Sequence, residues 1–170
     1  LGIAIDMLGK CLSDHVTEPT PSWARLPPRD TPFEESFNET NRLLAGFKFV
    51  IAAENTLCRH YCTEKLWFPL ARRNVPVVRG CFAGREWAPA RNAIIQAGDF
   101  PTIQALAEEI KRVHDDDRLF DARVHWRTKP LDELGVLHRR AIVEGRIPLG
   151  QRLLALLAHL DDLPPSRRIS

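Results

Sequence analysis

The chain lacks the features that identify membrane-spanning, nucleic-acid-binding and repetitive proteins. No stretch of its 170 residues approaches the roughly 20 consecutive apolar residues that cross a bilayer, and none has the pattern of a signal peptide. The net charge is only +2, and no basic block interrupts the mixture of charges. Nucleic acid is therefore not expected as a partner, and no charged membrane-binding surface is expected either. We also find no internal repeat and no low-complexity tract.

What is present is the composition of one ordinary globular domain. Apolar residues make up 44% of the chain and charged residues 27%, and 170 residues are enough to bury a full core. Residues 1–8 already have the pattern of a folded element, so we expect the chain to be the C-terminal part of a longer protein. Four cysteines are compatible with an oxidising or a reducing compartment.

The apolar pattern predicts strands that alternate with helices, and hence an α/β fold. The predicted strands are 47–53 and 75–78, and the predicted helices are 63–73, a segment after Pro101, 131–143 and 149–163. Thr63 is the expected N-cap of its helix. Five prolines in residues 17–41 predict an extended loop there.

Polar residues cluster where the first predicted strand ends. The apolar run 49–53 stops at Glu54 and Asn55, a polar loop follows, and Thr63 opens the next helix. Ligands bind at the carboxyl ends of the strands in an open α/β sheet. Lys65 suits an anion such as a phosphate, because the free backbone N–H groups of a first helical turn also attract anions. A solvated surface lysine is the alternative.

The same stretch resembles the donor-binding signature of the α1,3/α1,4-fucosyltransferases, a GDP-fucose-dependent family (glycosyltransferase family 10). That signature reads roughly F-E-N-S-x-x-x-x-Y-x-T-E-K-L-W, and residues 53–67 keep its spacing. Ala53 replaces the usual aromatic residue and Thr56 replaces the usual serine. The chain also resembles further motifs of the family, in the same order, at residues 5–12, 74–80, 99–107 and 126–127.

The resemblance implies a fold and a domain organisation. Residues 1–130 are expected to form the Rossmann-like, GDP-fucose-binding C-terminal domain of a GT-B glycosyltransferase, and residues 131–170 a helical extension. The acceptor domain is expected outside this chain, together with an arginine for the phosphates and the general base that deprotonates the acceptor. We therefore expect these 170 residues alone to bind donor weakly and to transfer nothing.

By the same resemblance, four residues are predicted to contact the donor, namely Asn55, Tyr61, Glu64 and Lys65. Lys65 would contact the diphosphate, and Glu64 would accept hydrogen bonds from sugar hydroxyls. Each residue also has an ordinary structural explanation, such as a turn, packing or a favourable interaction with the helix dipole.

Two other residues are predicted to support the donor-contacting residues without touching the donor. The role of two lysines is undecided. Glu54 and Thr63 are predicted to shape the loop and the helix cap. Lys48 and Lys10 match family positions, but each is equally explained as a solvated lysine.

The implied function is inverting transfer of L-fucose from GDP-fucose to a glycan or glycoprotein, with an α1,3 linkage to N-acetylglucosamine expected. No cofactor and no essential metal are expected. A eukaryotic member would reside at the lumenal side of the Golgi membrane, held by an N-terminal anchor. Two alternatives stay open. One is a GT-B transferase that uses another nucleotide sugar, and the other is a non-catalytic GT-B-like domain that binds nucleotides or glycans.

The cysteines and acidic clusters have less specific explanations. Cys11 and Cys58 lie in family-like motifs, so a disulfide between them is one expectation and buried free thiols are the other. Cys58, His60 and Cys62 offer no clear fourth ligand and lack zinc-ligand spacing. The acidic run 115–117 is more simply a solvated loop than a metal motif.

Overall fold

The computed structural model describes residues 32–148 and residue 151. Within these residues the chain forms helices and strands that alternate from β1 to β3 and are followed by three helices. The helices are α1 (Phe33–Leu44), α2 (Glu64–Ala71), α3 (Gly84–Trp87), α4 (Ile103–Asp115), α5 (Asp117–Val124) and α6 (Val136–Gly145), and the strands are β1 (Phe49–Ala53), β2 (Val75–Arg79) and β3 (Ile95–Gln96). Short 3-10 turns lie at 97–99, 125–128 and 131–133.

The three strands form one parallel sheet in the order β1-β2-β3. The register places Phe49 opposite Val75 and Ala53 opposite Arg79. The connection from β1 to β2 passes through α2, and the connection from β2 to β3 passes through α3. Because the strands are parallel, their carboxyl ends meet at one edge of the sheet. This edge is where an open α/β sheet binds its ligands.

Apolar side chains cover both faces of the sheet, since successive residues of a strand point to opposite sides. On one face, Leu66 and Leu70 of α2 pack in a cluster with Val78 of β2, and all three are at most 1% exposed. On the other face, Val77 packs in a cluster that includes Val124 of α5 and is flanked by residues of α4. Burying each such side chain contributes roughly 1.5–3 kcal/mol, so the two layers of helices hold the sheet and fix its carboxyl edge.

The predicted α/β pattern is confirmed for the central elements. Both predicted strands exist, the helix after Pro101 is α4, and the helix predicted at 63–73 is α2. Thr63 is the N-cap of α2 in an extended conformation, and its side-chain oxygen accepts a hydrogen bond from the Lys65 N–H. The helix predicted at 149–163 lies outside the described residues, apart from residue 151.

The loop predicted over 17–41 is wrong for its described part, because α1 begins at Phe33. The last of the five prolines is Pro32, which directly precedes this helix. Proline is compatible with a helix start, since its fixed φ suits the first turn and its missing N–H is not needed there. The proline content therefore predicts a loop that extends past the true start of the helix.

The single helix predicted at 131–143 is instead a 3-10 turn at 131–133 followed by α6. Gly135 separates them, and its N–H donates to the Pro89 carbonyl at 2.8 Å. A Cβ at this position would lie 2.5 Å from the Ala88 carbonyl oxygen. Close packing against a distant loop therefore breaks the helix. The domain boundary predicted between residues 130 and 131 stays a prediction.

The acidic run 115–117 is largely exposed to solvent, as predicted, but it joins two helices directly and is not a loop. Asp115 ends α4 and Asp117 begins α5. Between them, the Asp116 side chain caps α5 by accepting a hydrogen bond from the Arg118 N–H at 2.9 Å. The Asp116 carboxylate therefore caps α5 at the junction with α4.

His138 of α6 is buried among three tryptophans. Its ring lies 5.8 Å from that of Trp67 and 5.7 Å from that of Trp126, and its Nδ1 is 3.2 Å from the Trp87 carbonyl oxygen. Burial lowers the pKa of His138 below its ordinary value, and the hydrogen bond to Trp87 opposes that shift only in part.

We expect acid to destabilise the fold through His138. The pKa of His138 is lower in the folded protein than in the unfolded chain. The stabilisation that neutral His138 contributes is therefore complete above about pH 6.5. It is lost as the pH falls from there toward the folded pKa. Urea unfolding at pH 7.5 and at pH 5.5 checks this against His138→Gln. The stability difference between wild type and variant should shrink at the lower pH, and an equal difference at both values would contradict the assignment.

Candidate functional site

The loop between β1 and α2 is organised around the buried carboxylate of Glu54, which follows β1 directly. The Glu54 side chain is 1% exposed. The Thr63 backbone N–H donates to Oε1 of Glu54 at 2.7 Å, and the Thr63 hydroxyl donates to Oε2 at 2.8 Å. One carboxylate thus joins the end of the strand to the start of the helix. This is the contact expected of residues that shape the loop and the cap, and their role toward a donor stays a prediction.

Lys65 lies at the mouth of the same loop, in the first turn of α2. Its Nζ is 3.8 Å from Oε2 of Glu54 and 3.6 Å from Oε1 of Glu64. The Lys65 side chain is one-third exposed and that of Glu64 is more than half exposed, so both reach solvent at the carboxyl edge. Two carboxylates thus flank the ammonium group at distances longer than a strong hydrogen bond.

The predicted donor-contacting residues Asn55 and Tyr61 bracket the exposed part of this loop. Every residue from 55 to 61 is exposed, and Tyr61 has 41% of its surface accessible. Loops usually carry such residues where a rigid sheet presents them to a ligand. The structure therefore brings Asn55, Tyr61, Glu64 and Lys65 to one edge of the sheet. Contact between these residues and the donor stays a prediction.

A disulfide fixes this loop to the segment that follows β2. Cys62 is bonded to Cys81, with a Cα–Cα distance of 4.9 Å, while Cys58 is a free, exposed thiol. The expected pairing of Cys11 with Cys58 is therefore not found, and the alternative of a buried thiol is also wrong for Cys58. Cys11 lies outside the described residues. Spacing along the sequence could not reveal the pair, because β2 brings Cys81 beside Cys62 only once the sheet has formed.

The turn after β2 approaches the end of β1 closely at Gly80. Its φ is +85°, and a Cβ there would lie 2.9 Å from the Cβ of Glu54. The Glu54 N–H also donates to the Arg79 carbonyl at 2.9 Å. The floor of the site thus depends on the absence of a side chain at position 80.

Gly80→Ala should destabilise the fold by about 1–3 kcal/mol, because alanine is strained at this φ and would displace Glu54. Urea unfolding measures the loss. Gly98→Ala is the control, since a Cβ at position 98 meets nothing within 4 Å. An alanine at position 80 that is tolerated as well as the one at position 98 would show that the close approach is not needed.

Lys48 lies at the amino-terminal edge of the sheet, where its side chain is one-third exposed but is paired with other residues. It precedes β1, and its Nζ donates to the His114 carbonyl at 2.9 Å and to Oδ1 of Asp117 at 2.7 Å. It also lies 5.2 Å from the centre of the Phe120 ring. Lys48 therefore fastens the start of β1 to α4 and α5. Lys10 lies outside the described residues.

Sequence reasoning missed a cavity beside the predicted site. It has a volume of about 350 Å³ and lies at the carboxyl ends of β2 and β3. Apolar side chains form most of its wall, among them Leu57, Phe82, Phe100 and Ile103. Arg79, the last residue of β2, is the only charged residue among the described residues that line it. The sequence predicts a strand at 75–78 but gives no sign that Arg79, the next residue, lines a cavity.

Within residues 32–148 and 151, no group of three or more His, Cys, Asp or Glu side chains is placed to hold a metal ion. Of the residues Cys58, His60 and Cys62, which the sequence offers as metal ligands, Cys62 is bonded in the disulfide. No helix in this described part of the chain has the length and the apolar character needed to cross a membrane.

Comparison with known proteins identifies the family. Residues 2–142 match the family model of glycosyltransferase family 10 (fucosyltransferase), C-terminal part. The chain belongs to this family, as the motif resemblance indicated.

Similar proteins are the GDP-fucose protein O-fucosyltransferases 3 of several vertebrates. The chain is 40% identical to the Homo sapiens protein over 88 residues, which is 52% of this chain and 18% of that protein. It is 34% identical to the Bos taurus protein over 127 residues, or 75% of this chain and 25% of that protein. The chain therefore spans a quarter or less of the length of these relatives.

Proposed function

We propose that this chain is the donor-binding part of an inverting fucosyltransferase that uses GDP-fucose. The observation that carries the proposal is the carboxyl edge of the sheet, where Glu54 and Thr63 hold Lys65 at the mouth of the β1–α2 loop. The signature residues of the family lie on this loop, and relatives named for GDP-fucose match the chain. A non-catalytic binding domain would not need both Glu64 and Lys65 at this edge.

In the proposed reaction, the acceptor oxygen attacks the anomeric carbon of fucose while the bond from that carbon to the GDP oxygen breaks. Negative charge grows on the leaving diphosphate, and fixed positive groups lower the barrier by stabilising it. Lys65 supplies such a charge at the first turn of α2, where backbone N–H groups point toward the ligand. Glu64 accepts hydrogen bonds from donor hydroxyls, with Asn55 and Tyr61 beside it. The general base comes from outside this donor-binding part.

The acceptor we propose is a hydroxyl group of a protein side chain. The relatives are named protein O-fucosyltransferases, and they give no support to the expected α1,3 linkage to N-acetylglucosamine. A glycan acceptor remains the second candidate because the motif resemblance favours it.

The fold and compartment of the whole protein are also proposals. The parallel α/β sheet supports a Rossmann-like domain of GT-B architecture. We also propose that transfer needs no resident metal. The Cys62–Cys81 disulfide supports an oxidising, lumenal compartment such as the Golgi, since disulfides persist there.

Transfer of labelled fucose by the full-length protein tests the proposal. Microsomal glycoproteins are incubated with radiolabelled GDP-fucose and then treated either by alkaline β-elimination or by an N-glycan-releasing amidase. The proposal predicts label that β-elimination releases. Label released only by the amidase would shift the acceptor to a glycan, and absence of any transfer by the folded protein would contradict the fucosyltransferase assignment.

A further inference from the structure

Arg79 is a cation without a partner in the part of the chain that the structure describes. Its backbone carbonyl accepts the Glu54 N–H. No described residue accepts a hydrogen bond from its guanidinium or forms an ion pair with it, whereas nearby Arg59 and Arg85 pair with Glu86 and Asp99. Its side chain is exposed at the end of β2.

The position of Arg79 is fixed by the sheet. The register pairs it with Ala53 of β1, and paired residues of parallel strands project from the same face. Ala53 ends at its Cβ, so β1 leaves the guanidinium uncovered. Glu54 comes one residue later and contacts the cap of α2, so Arg79 and Lys65 lie at the same edge of the sheet but on opposite faces.

The cavity that Arg79 lines has the chemistry of a nucleotide site. Aromatic side chains from Phe82 and Phe100 contribute to its apolar wall, and no acidic residue lines it among those described. Gln96 forms part of the floor and holds the turn after β2 by donating to the Gly80 carbonyl at 3.1 Å. An apolar pocket with one free guanidinium suits a ligand that carries both a flat ring and a phosphate, because arginine binds phosphate through two parallel hydrogen bonds.

We propose that Arg79 contacts the diphosphate of the nucleotide donor from the face of the sheet opposite Lys65. This inference rests on the proposed function, and it assigns to the chain itself a second cation for the phosphates. Arg79 and Lys65 would then share the charge of the bound diphosphate across the carboxyl edge.

Calorimetric titration of the full-length protein with GDP tests this role. Arg79→Gln should bind GDP roughly tenfold or more weakly, since a charge-assisted contact is lost, and Arg79→Lys should bind with intermediate affinity. Arg91→Gln is the matched control, because Arg91 is exposed, precedes β3 at the opposite edge and forms no hydrogen bond or ion pair with another described residue. Thermal unfolding of Arg79→Gln should match that of wild type, because its side chain holds no other residue in place.

Salt dependence separates a phosphate contact from a purely structural effect. The affinity of wild type for GDP should fall more steeply with ionic strength than that of Arg79→Gln, because one screened charge pair is missing in the variant. Arg79→Gln binding GDP as wild type does, while Lys65→Ala loses affinity, would overturn the role of Arg79 and leave the proposed function standing. A folded wild type that binds neither GDP nor GDP-fucose would overturn both.

Discussion

Lys65→Ala should weaken GDP-fucose binding by more than tenfold, equivalent to about 1.5–3 kcal/mol for one charge-assisted contact. The Lys65 ammonium lies within 4 Å of two carboxylates, at 3.8 Å from Glu54 and 3.6 Å from Glu64. These distances are too long for strong hydrogen bonds, so its donors are available to a diphosphate. The effect on kcat/KM should be at least as large, because the charge of the leaving group grows in the transition state.

Two further variants separate charge from packing. Lys65→Met keeps most of the aliphatic stem and should bind donor as weakly as Lys65→Ala. Lys129→Ala is the matched control, since Lys129 is also partly exposed and lies 3.5 Å from a single carboxylate, Glu133. Affinity and kcat/KM are measured on the full-length protein for all three variants. Wild-type affinity in both Lys65 variants would show that this lysine does not contact the donor.

Removing the Cys62–Cys81 disulfide should lower the free energy of unfolding by about 3 kcal/mol, the value expected for a loop of this length. The two cysteines are separated by 19 positions, and the loop that they close contains α2 and β2. Cys62 immediately precedes the cap at Thr63, and Cys81 follows Gly80. Loss of the bond therefore frees the mouth of the site from β2, and donor affinity should fall together with stability.

Denaturant unfolding of Cys62→Ala/Cys81→Ala measures the stability loss, and reduction of the wild-type protein repeats the test without changing any side chain. Cys58→Ala is the control, because its thiol is free and exposed. Oxidised and reduced wild type that unfold at the same denaturant concentration would rule out a stabilising role for the disulfide.

What the sequence could predict was local. The cap at Thr63, the strand that ends at Ala53 and the helix after Pro101 each follow from signals within a few residues. The start of α1 was missed because Pro32 was counted as part of a loop, although proline is compatible with the first turn of a helix.

The remaining features depend on residues far apart in the chain. The break before α6 arises because Gly135 packs on the Ala88 carbonyl, and the disulfide partner of Cys62 depends on the position of β2. The position of Arg79 could not be predicted for the same reason, because strand register places it beside Ala53. The motif places the predicted site on one loop, and the fold adds the turn after β2 and the cavity next to it.

Every role proposed above for the carboxyl edge of this sheet depends on its binding GDP-fucose. Calorimetric titration of the full-length wild-type protein with GDP-fucose, repeated in the presence of GDP-mannose, tests it most directly. We expect saturable binding with a preference for the fucose donor. A well-folded protein that gives no saturable binding, or that binds GDP-mannose equally well, would contradict it.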